Sequence, residues 1–186
     1  MTDFVASEEL KTIDNDVSTF LQNHGDLAAK SRSTSGLQPK ETVAITGLLA
    51  KSPTVAKICE YPVLKSVRNS ILKEEFTIPR EEVEPAKAVI DPLLSLSITF
   101  WIGPGASRQR LHRDDWIHGT RHDQPFQLNR AGQIGVLIAG TKTTRRNGAT
   151  MFIPGSHKWD DNRKPRLDEV TFAGKYFFVF LCSDVD

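Results

Sequence analysis

Cysteine is scarce in this chain: of 186 residues only Cys59 and Cys182 are cysteines, far apart and at no spacing that suits zinc or a redox motif. A disulfide-stapled scaffold and a thiolate zinc finger are thereby excluded, and both thiols are expected to be reduced and partly buried in a reducing compartment. Long apolar runs are missing too. Nothing approaches the roughly 20 residues of a membrane-spanning helix, and the opening Met-Thr-Asp-Phe-Val-Ala-Ser-Glu-Glu has neither the basic region nor the apolar stretch of a signal peptide. A cytoplasmic location is the default that follows. Charge of one sign is also lacking: 24 Lys and Arg stand against 23 Asp and Glu, giving a net charge of +1. With no basic block, neither nucleic acid nor an anionic membrane is implied as a partner. Histidine is sparse as well, with five in all and none after His157.

What is present is ordinary for a globular protein. Hydrophobic residues make up 39% and charged residues 25%, which argues against wholesale disorder, and the length suits one domain, taken as 1–186, with a sizeable core. Phe4 and Val5 could be the remnant of a strand. Ser7 suits a helix N-cap with Glu8 and Glu9 in the favourable first turn. Leu10, Ile13, Val17, Phe20 and Leu21 then recur at helical spacing, and Gly25 is placed to stop the helix. Residues 26–41 are polar and read as a surface loop. A second helical region runs from Ser52 to Lys73, with Pro53 suited to a first turn and Pro62 forcing a break or kink; Val63, Val67 and Ile71 form one stripe in its second half. Both helical regions are expected to cover a sheet.

The charged, proline-flanked stretch from Pro79 to Pro92 reads as a connection. After it, Leu94, Leu96, Ile98, Phe100 and Ile102 alternate with Ser95, Ser97, Thr99 and Trp101, a strand signal with one core face and one semi-polar face, as on the inner wall of a ligand-holding barrel. Gly103-Pro104-Gly105 ends it. Further strands are expected over Gln133–Ala139, Ala149–Ile153 and Leu167–Phe172, with a turn at Asn147-Gly148 and a polar loop over Asp160–Pro165. Helices followed by closely spaced antiparallel strands imply an α+β domain on a jelly-roll, cupin-like β core.

The chemistry centres on Gln109-Arg-Leu-His112-Arg-Asp114-Asp115. If this segment were a strand, His112 and Asp114 would point one way and Arg113 the other, so one imidazole and one carboxylate could chelate a single metal ion. That is the start of the facial triad of non-haem Fe(II) oxygenases, which adds a second histidine and leaves three positions open. His118 and His122 have the i, i+4 spacing of a zinc pair, but Gly119 and Asp123-Gln124-Pro125 point to a loop, with those side chains exposed to solvent or to a substrate pocket. His157, after a Pro-Gly-Ser turn, reads as structural, and His24 as a helix C-terminal residue. Lys142, Arg145 and Arg146 read as a solvated hairpin tip.

Gln109-x-x-His112-x-Asp114, the stretch Gly132-Gln133-Ile134-Gly135, and Asn147-Gly148-Ala149-Thr150 leading into Ile153-Pro154-Gly155-Ser156-His157-Lys158-Trp159 together resemble the phytanoyl-CoA dioxygenase family, especially its fungal members of secondary metabolism. The similarity runs from about Phe4 to Phe172. It implies an Fe(II)- and 2-oxoglutarate-dependent dioxygenase, with O2 as the other cosubstrate, on a double-stranded β-helix. It further implies His112 and Asp114 as iron ligands, Gln109 and Thr150 as hydrogen-bonding partners of 2-oxoglutarate, and an upstream basic contact for which Arg68 is the candidate. A bend after Gly105 would have to re-aim Gln109, which lies three residues before His112. Arg113, Asp115 and Trp116 are candidates for supporting the ligands. A hydrophobic small molecule is the implied substrate, with residues 26–41 and 116–131 as candidate lids, and a homodimer is an open possibility.

The resembled family takes its third ligand from a distal histidine, followed by an arginine for the far carboxylate of 2-oxoglutarate; neither follows Phe172 here. Three readings stay open. Gly174-Lys175-Tyr176 could be the translation of a retained splice donor, the chain could be a truncated and inactive binding or assembly partner, or Tyr176–Leu181 could be a native strand with the metal site completed by water or an unusual ligand. A zinc or manganese cupin enzyme without 2-oxoglutarate is the remaining alternative, against which Gln109 and Thr150 count.

Overall fold

The computed structural model describes residues 4–25, 39, 41–81, 83–115, 119, 122 and 124–173. In chain order it comprises helix α1 (Ser7–Asn23), strand β1 (Thr42–Thr46), helices α2 (Pro53–Cys59) and α3 (Pro62–Leu72), and strands β2 (Glu74–Ile78), β3 (Ala86–Ile90), β4 (Ile98–Ile102), β5 (Met151–Phe152) and β6 (Thr171–Phe172). The α+β class holds. The described strands form three separate antiparallel pairs, β1 with β4, β2 with β3 and β5 with β6.

The helical end is built as its periodicity dictates. The 3.6-residue spacing of α1 brings Val17 onto buried Ile45 of β1 and buried Leu48 of the turn after it, and Ile13, Phe20, Leu21, Val43 and Val55 pack around them. Each such side chain taken out of water contributes on the order of 2 kcal/mol. Polar ties pin the same contact. The fully buried Ser52 hydroxyl donates to Asp16 Oδ2 at 2.6 Å, and Glu9 Oε1 accepts from Lys57 Nζ at 2.8 Å and from the Tyr61 hydroxyl at 2.6 Å. Those bonds, with the Ala6 N–H, hold the Glu9 carboxyl down to about 2. The N-cap is Ala6 rather than Ser7, and its N–H is satisfied by Glu9 Oε2 at 3.1 Å. Pro53 and Pro62 each open a helix, so the expected second helical region is two helices with a break at Glu60-Tyr61.

The β region departs from expectation. A hairpin runs from the end of the helical region into the stretch read as a connection: β3 lies within Pro79–Pro92 and pairs with β2 just before it, with Glu74, Glu75 and Lys87 on exposed faces. The alternation beginning at Leu94 becomes a paired strand only from Ile98, and Leu94, Leu96, Phe100 and Ile102 are exposed rather than core. Residues 133–139 run without ladder partners among the described residues, half-buried except for the exposed Ile138. Only Met151–Phe152 and Thr171–Phe172 of the last two expected strands pair, and Leu167–Glu169 is a 3₁₀ turn. Val5 is buried in a bend, not a strand. β1 went unforeseen, although Thr42-Val43-Ala44-Ile45-Thr46 carries β-branched residues at four of five positions. Most of the expected 26–41 loop lies outside the described residues. No described helix is long and apolar enough to cross a membrane.

Candidate metal centre

The segment bearing the expected ligands hangs from the end of β4. There the Gly103 N–H donates to the Glu41 carbonyl at 2.9 Å, continuing the β1–β4 ladder by one bond. A Cβ at 103 would lie 3.0 Å from that carbonyl, so a side chain there would have to push the two strand ends apart by a few tenths of an ångström. Gly105, at φ +83, then turns the chain out of the sheet. Residues 106–113 are not a strand, contrary to the geometry assumed from the motif, and Asp114-Asp115 forms a short 3₁₀ turn. Alternation survives without the strand: His112 and Asp114 are exposed, whereas Arg113 is half-buried and Asp115 buried.

His112 and Asp114 do come together. Imidazole Nε2 lies 3.1 Å from Asp114 Oδ1, while Nδ1 faces the Arg110 carbonyl at 2.7 Å. With both ring nitrogens against oxygen acceptors, the arrangement suits the imidazolium, donating from Nδ1 to Arg110 and from Nε2 to Asp114. A metal at this pair would take the place of the Nε2 proton, with Nδ1–H still donating to the Arg110 carbonyl. Asp114 pushes the His112 imidazolium up from its ordinary value, burial opposes the shift and the Arg110 carbonyl adds to it.

Behind the pair lies a polar network that joins residues far apart in the chain. The Arg113 fork donates through one nitrogen to the carbonyls of Ser156, Trp159 and Asp160 at 3.1, 2.9 and 3.4 Å, and its other terminal nitrogen lies 3.6 Å from Asp161 Oδ1. Asp115 Oδ2 meets His122 Nε2 at 2.9 Å, and His122 Nδ1 meets Asp161 Oδ1 at 2.6 Å. Asp115 Oδ1 is buried with no hydrogen bond. The His122 side chain is only 7% exposed, which overturns the expectation of an open loop histidine. Asp160 Oδ1 caps the N–H groups of Asn162 and Arg163, an Asx turn that shapes the loop. Arg163 lies over the Trp159 ring at 3.6 Å from its centroid. The Asp160-Asp161-Asn162 run was the one sequence signal for this loop, and it read only as polar.

The remaining candidates are not brought to one point. Gln109 is on the exposed segment before His112, and Thr150 is exposed, with its carbonyl accepting from the Ala173 N–H at 2.8 Å. Arg68 donates to the Cys59 carbonyl and to Glu60 Oε1, both at 2.9 Å, at the corner between α2 and α3. His157 is structural, edge-on to Phe126 with centroids 5.2 Å apart, and its imidazolium is disfavoured by burial and by Lys158 and Arg113. His24 caps α1, with its Nδ1 3.0 Å from the Phe20 carbonyl. Arg145 lies over the Phe172 ring, so the expected hairpin tip is not wholly solvated. Cys59 is a free, half-buried thiol pushed up by burial. Trp116, His118 and Cys182 lie outside the described residues.

Among the described residues no group of three His, Cys, Asp or Glu is placed to hold a metal ion. His112 and Asp114 offer a divalent metal two donors, one nitrogen and one oxygen, the nitrogen once its proton is displaced. The sequence model of the phytanoyl-CoA dioxygenase (PhyH) family matches residues 1–176. The chain is 42% identical over 174 residues to a protein named dioxygenase swnH1 of Arthroderma benhamiae, covering 93% of this chain and 55% of that one. A protein of the same name from Metarhizium robertsii matches with the same identity and coverage. Dioxygenase cnsJ of Penicillium expansum is 34% identical over 141 residues, 69% of this chain and 41% of its own. The chain thus spans about half the length of the first two of these relatives.

Proposed function

Because the chain belongs to the phytanoyl-CoA dioxygenase family, we propose that it is an Fe(II)- and 2-oxoglutarate-dependent dioxygenase of fungal secondary metabolism acting on a hydrophobic small molecule. The reading includes a double-stranded β-helix to which the paired strands belong. One observation carries it: His112 Nε2 stands 3.1 Å from Asp114 Oδ1, while the Arg110 carbonyl holds the other ring nitrogen. Iron held there would supply oxygen activation coupled to decarboxylation of the 2-oxo acid. The protein's own part is to present that nitrogen and that oxygen in fixed register. Gln109 and Thr150 are proposed to hydrogen-bond the cosubstrate. Arg68 is the weakest member of the set, because its guanidinium already serves Glu60 and the Cys59 carbonyl.

A second reading, a non-catalytic binding or assembly partner, is favoured by the exposed Phe100, Trp101 and Ile102 of β4, an apolar strand that invites association. Anaerobic addition of 2-oxoglutarate to the Fe(II)-loaded full chain separates the two. A visible charge-transfer band that His112→Ala abolishes, with succinate formed once air is admitted, supports the oxygenase. Failure to bind Fe(II) in both proteins sinks it.

A further inference from the structure

The His112 and Asp114 side chains are 44% and 56% exposed, so packing around them does not fix their positions. The two residues that alternate with them are the ones held. Arg113 is anchored on three carbonyls of residues 156–160, and Asp115, 2% exposed at its side chain, is held by His122. Both lines of contact end on one carboxylate. Asp161 Oδ1 lies 3.6 Å from the Arg113 guanidinium and 2.6 Å from His122 Nδ1, while its Oδ2 accepts from the His122 N–H at 3.3 Å.

We propose that Asp161, acting through His122 and Arg113, is a positioning residue for the His112–Asp114 pair. It ties the motif's buried side to the 156–161 segment and so sets how the exposed side presents its two donors. This rests on the reading of that pair as metal ligands. Among the described residues nothing else on the buried side joins both anchors. His122 faces a carboxylate with each ring nitrogen, and the Arg113 nitrogen nearest Asp161 has no hydrogen bond of its own. Loss of the Asp161 carboxylate leaves His122 held from one side only and that Arg113 nitrogen without a counter-charge. Arg113 keeps its three carbonyl contacts and Asp115 its bond to His122, but the link between the two is gone, and the residues between and beside them are held less closely in register. Burial works against ionisation of Asp161, yet its bonds from the His122 ring and backbone, with the His122 and Arg113 charges, hold its carboxyl below the ordinary value.

Asp161 is 57% exposed at its side chain, so removing it opens no cavity and the fold should survive. The test measures Co(II) affinity of the full chain by visible absorption and, without metal, the ring-nitrogen NMR shifts of His112. Asp161→Ala is expected to weaken Co(II) binding about tenfold, the lower end for residues that orient ligands. It should also move the His112 ring-nitrogen signals, because the ring's contacts with the Arg110 carbonyl and Asp114 change with the placement of the segment. Asp161→Asn, which keeps an acceptor for His122, should recover most of the affinity. Asp168→Ala, which removes a comparably exposed carboxylate paired with Arg166, should change neither reading. Unchanged affinity and unchanged ring signals in Asp161→Ala overturn the proposal. Should the unsubstituted chain bind no Co(II), the metal reading falls, and the His112 ring signals alone decide whether Asp161 positions the pair.

Discussion

The helical end and the metal-pair end are held together by opposite means. Around α1, β1 and α2 a buried apolar cluster does the holding, and the ion pair of Glu9 with Lys57 is secondary. Around His112 the order reverses: strand faces nearby stay exposed, and an Arg–carboxylate–imidazole–carboxylate network joins residues 113, 115, 122 and 161. The first kind of order tolerates any side chain of about the right size, whereas the second depends on the placement of individual donors and acceptors. A site that must present two ligand atoms in register gains from the second kind.

Three substitutions probe that contrast, beginning with the largest effect. Leu48→Ala should lower the unfolding free energy by about 2–5 kcal/mol, as for other buried leucines, and leave Co(II) affinity of the folded chain unchanged. Urea unfolding and metal titration on one sample check it, and a parallel loss of affinity would mean that the two ends are not separable. A smaller effect should follow acid. Glu9 has its carboxyl at about 2 against an ordinary 4.5, so its contribution is complete above 4.5 and fades as the pH falls towards 2. Melting temperatures of Glu9→Gln and the unsubstituted chain should therefore differ at pH 6 and converge by about pH 2. The smallest effect belongs to β4: Ile102→Thr, on an exposed apolar position, should change stability by no more than about 0.5 kcal/mol. A loss of several kcal/mol in a thermal melt would show that this strand face is covered in solution.

The same contrast explains what could be read from sequence. Val17, Phe20 and Leu21 announced their face because one period and one partner surface determine a helix. Pro53 announced a helix start because proline at the first turn loses no hydrogen bond, and Pro62 announced a break, which the structure makes a second helix start. The alternation from Leu94 to Ile102 misled because period 2 reports that one face is apolar and not that anything covers it. The β2–β3 hairpin was missed because exposed strands may carry glutamate and lysine on both faces. At the site, His112 and Asp114 were visible as a local pair. The contact that orients the His112 ring was not, because it comes from the Arg110 carbonyl, and the buried place of His122 was not, because its partner Asp161 lies 39 residues away.

The stacked pair of Trp159 and Arg163 has a practical consequence. The indole of Trp159 sits on the loop that anchors Arg113, with a cation against its face, while Trp101 on β4 stands in the open. Its emission should respond to the order of that loop and resist collisional quenchers that reach Trp101 freely. The protein thus carries its own optical gauge beside the metal pair, readable in an ordinary fluorimeter without label or ligand.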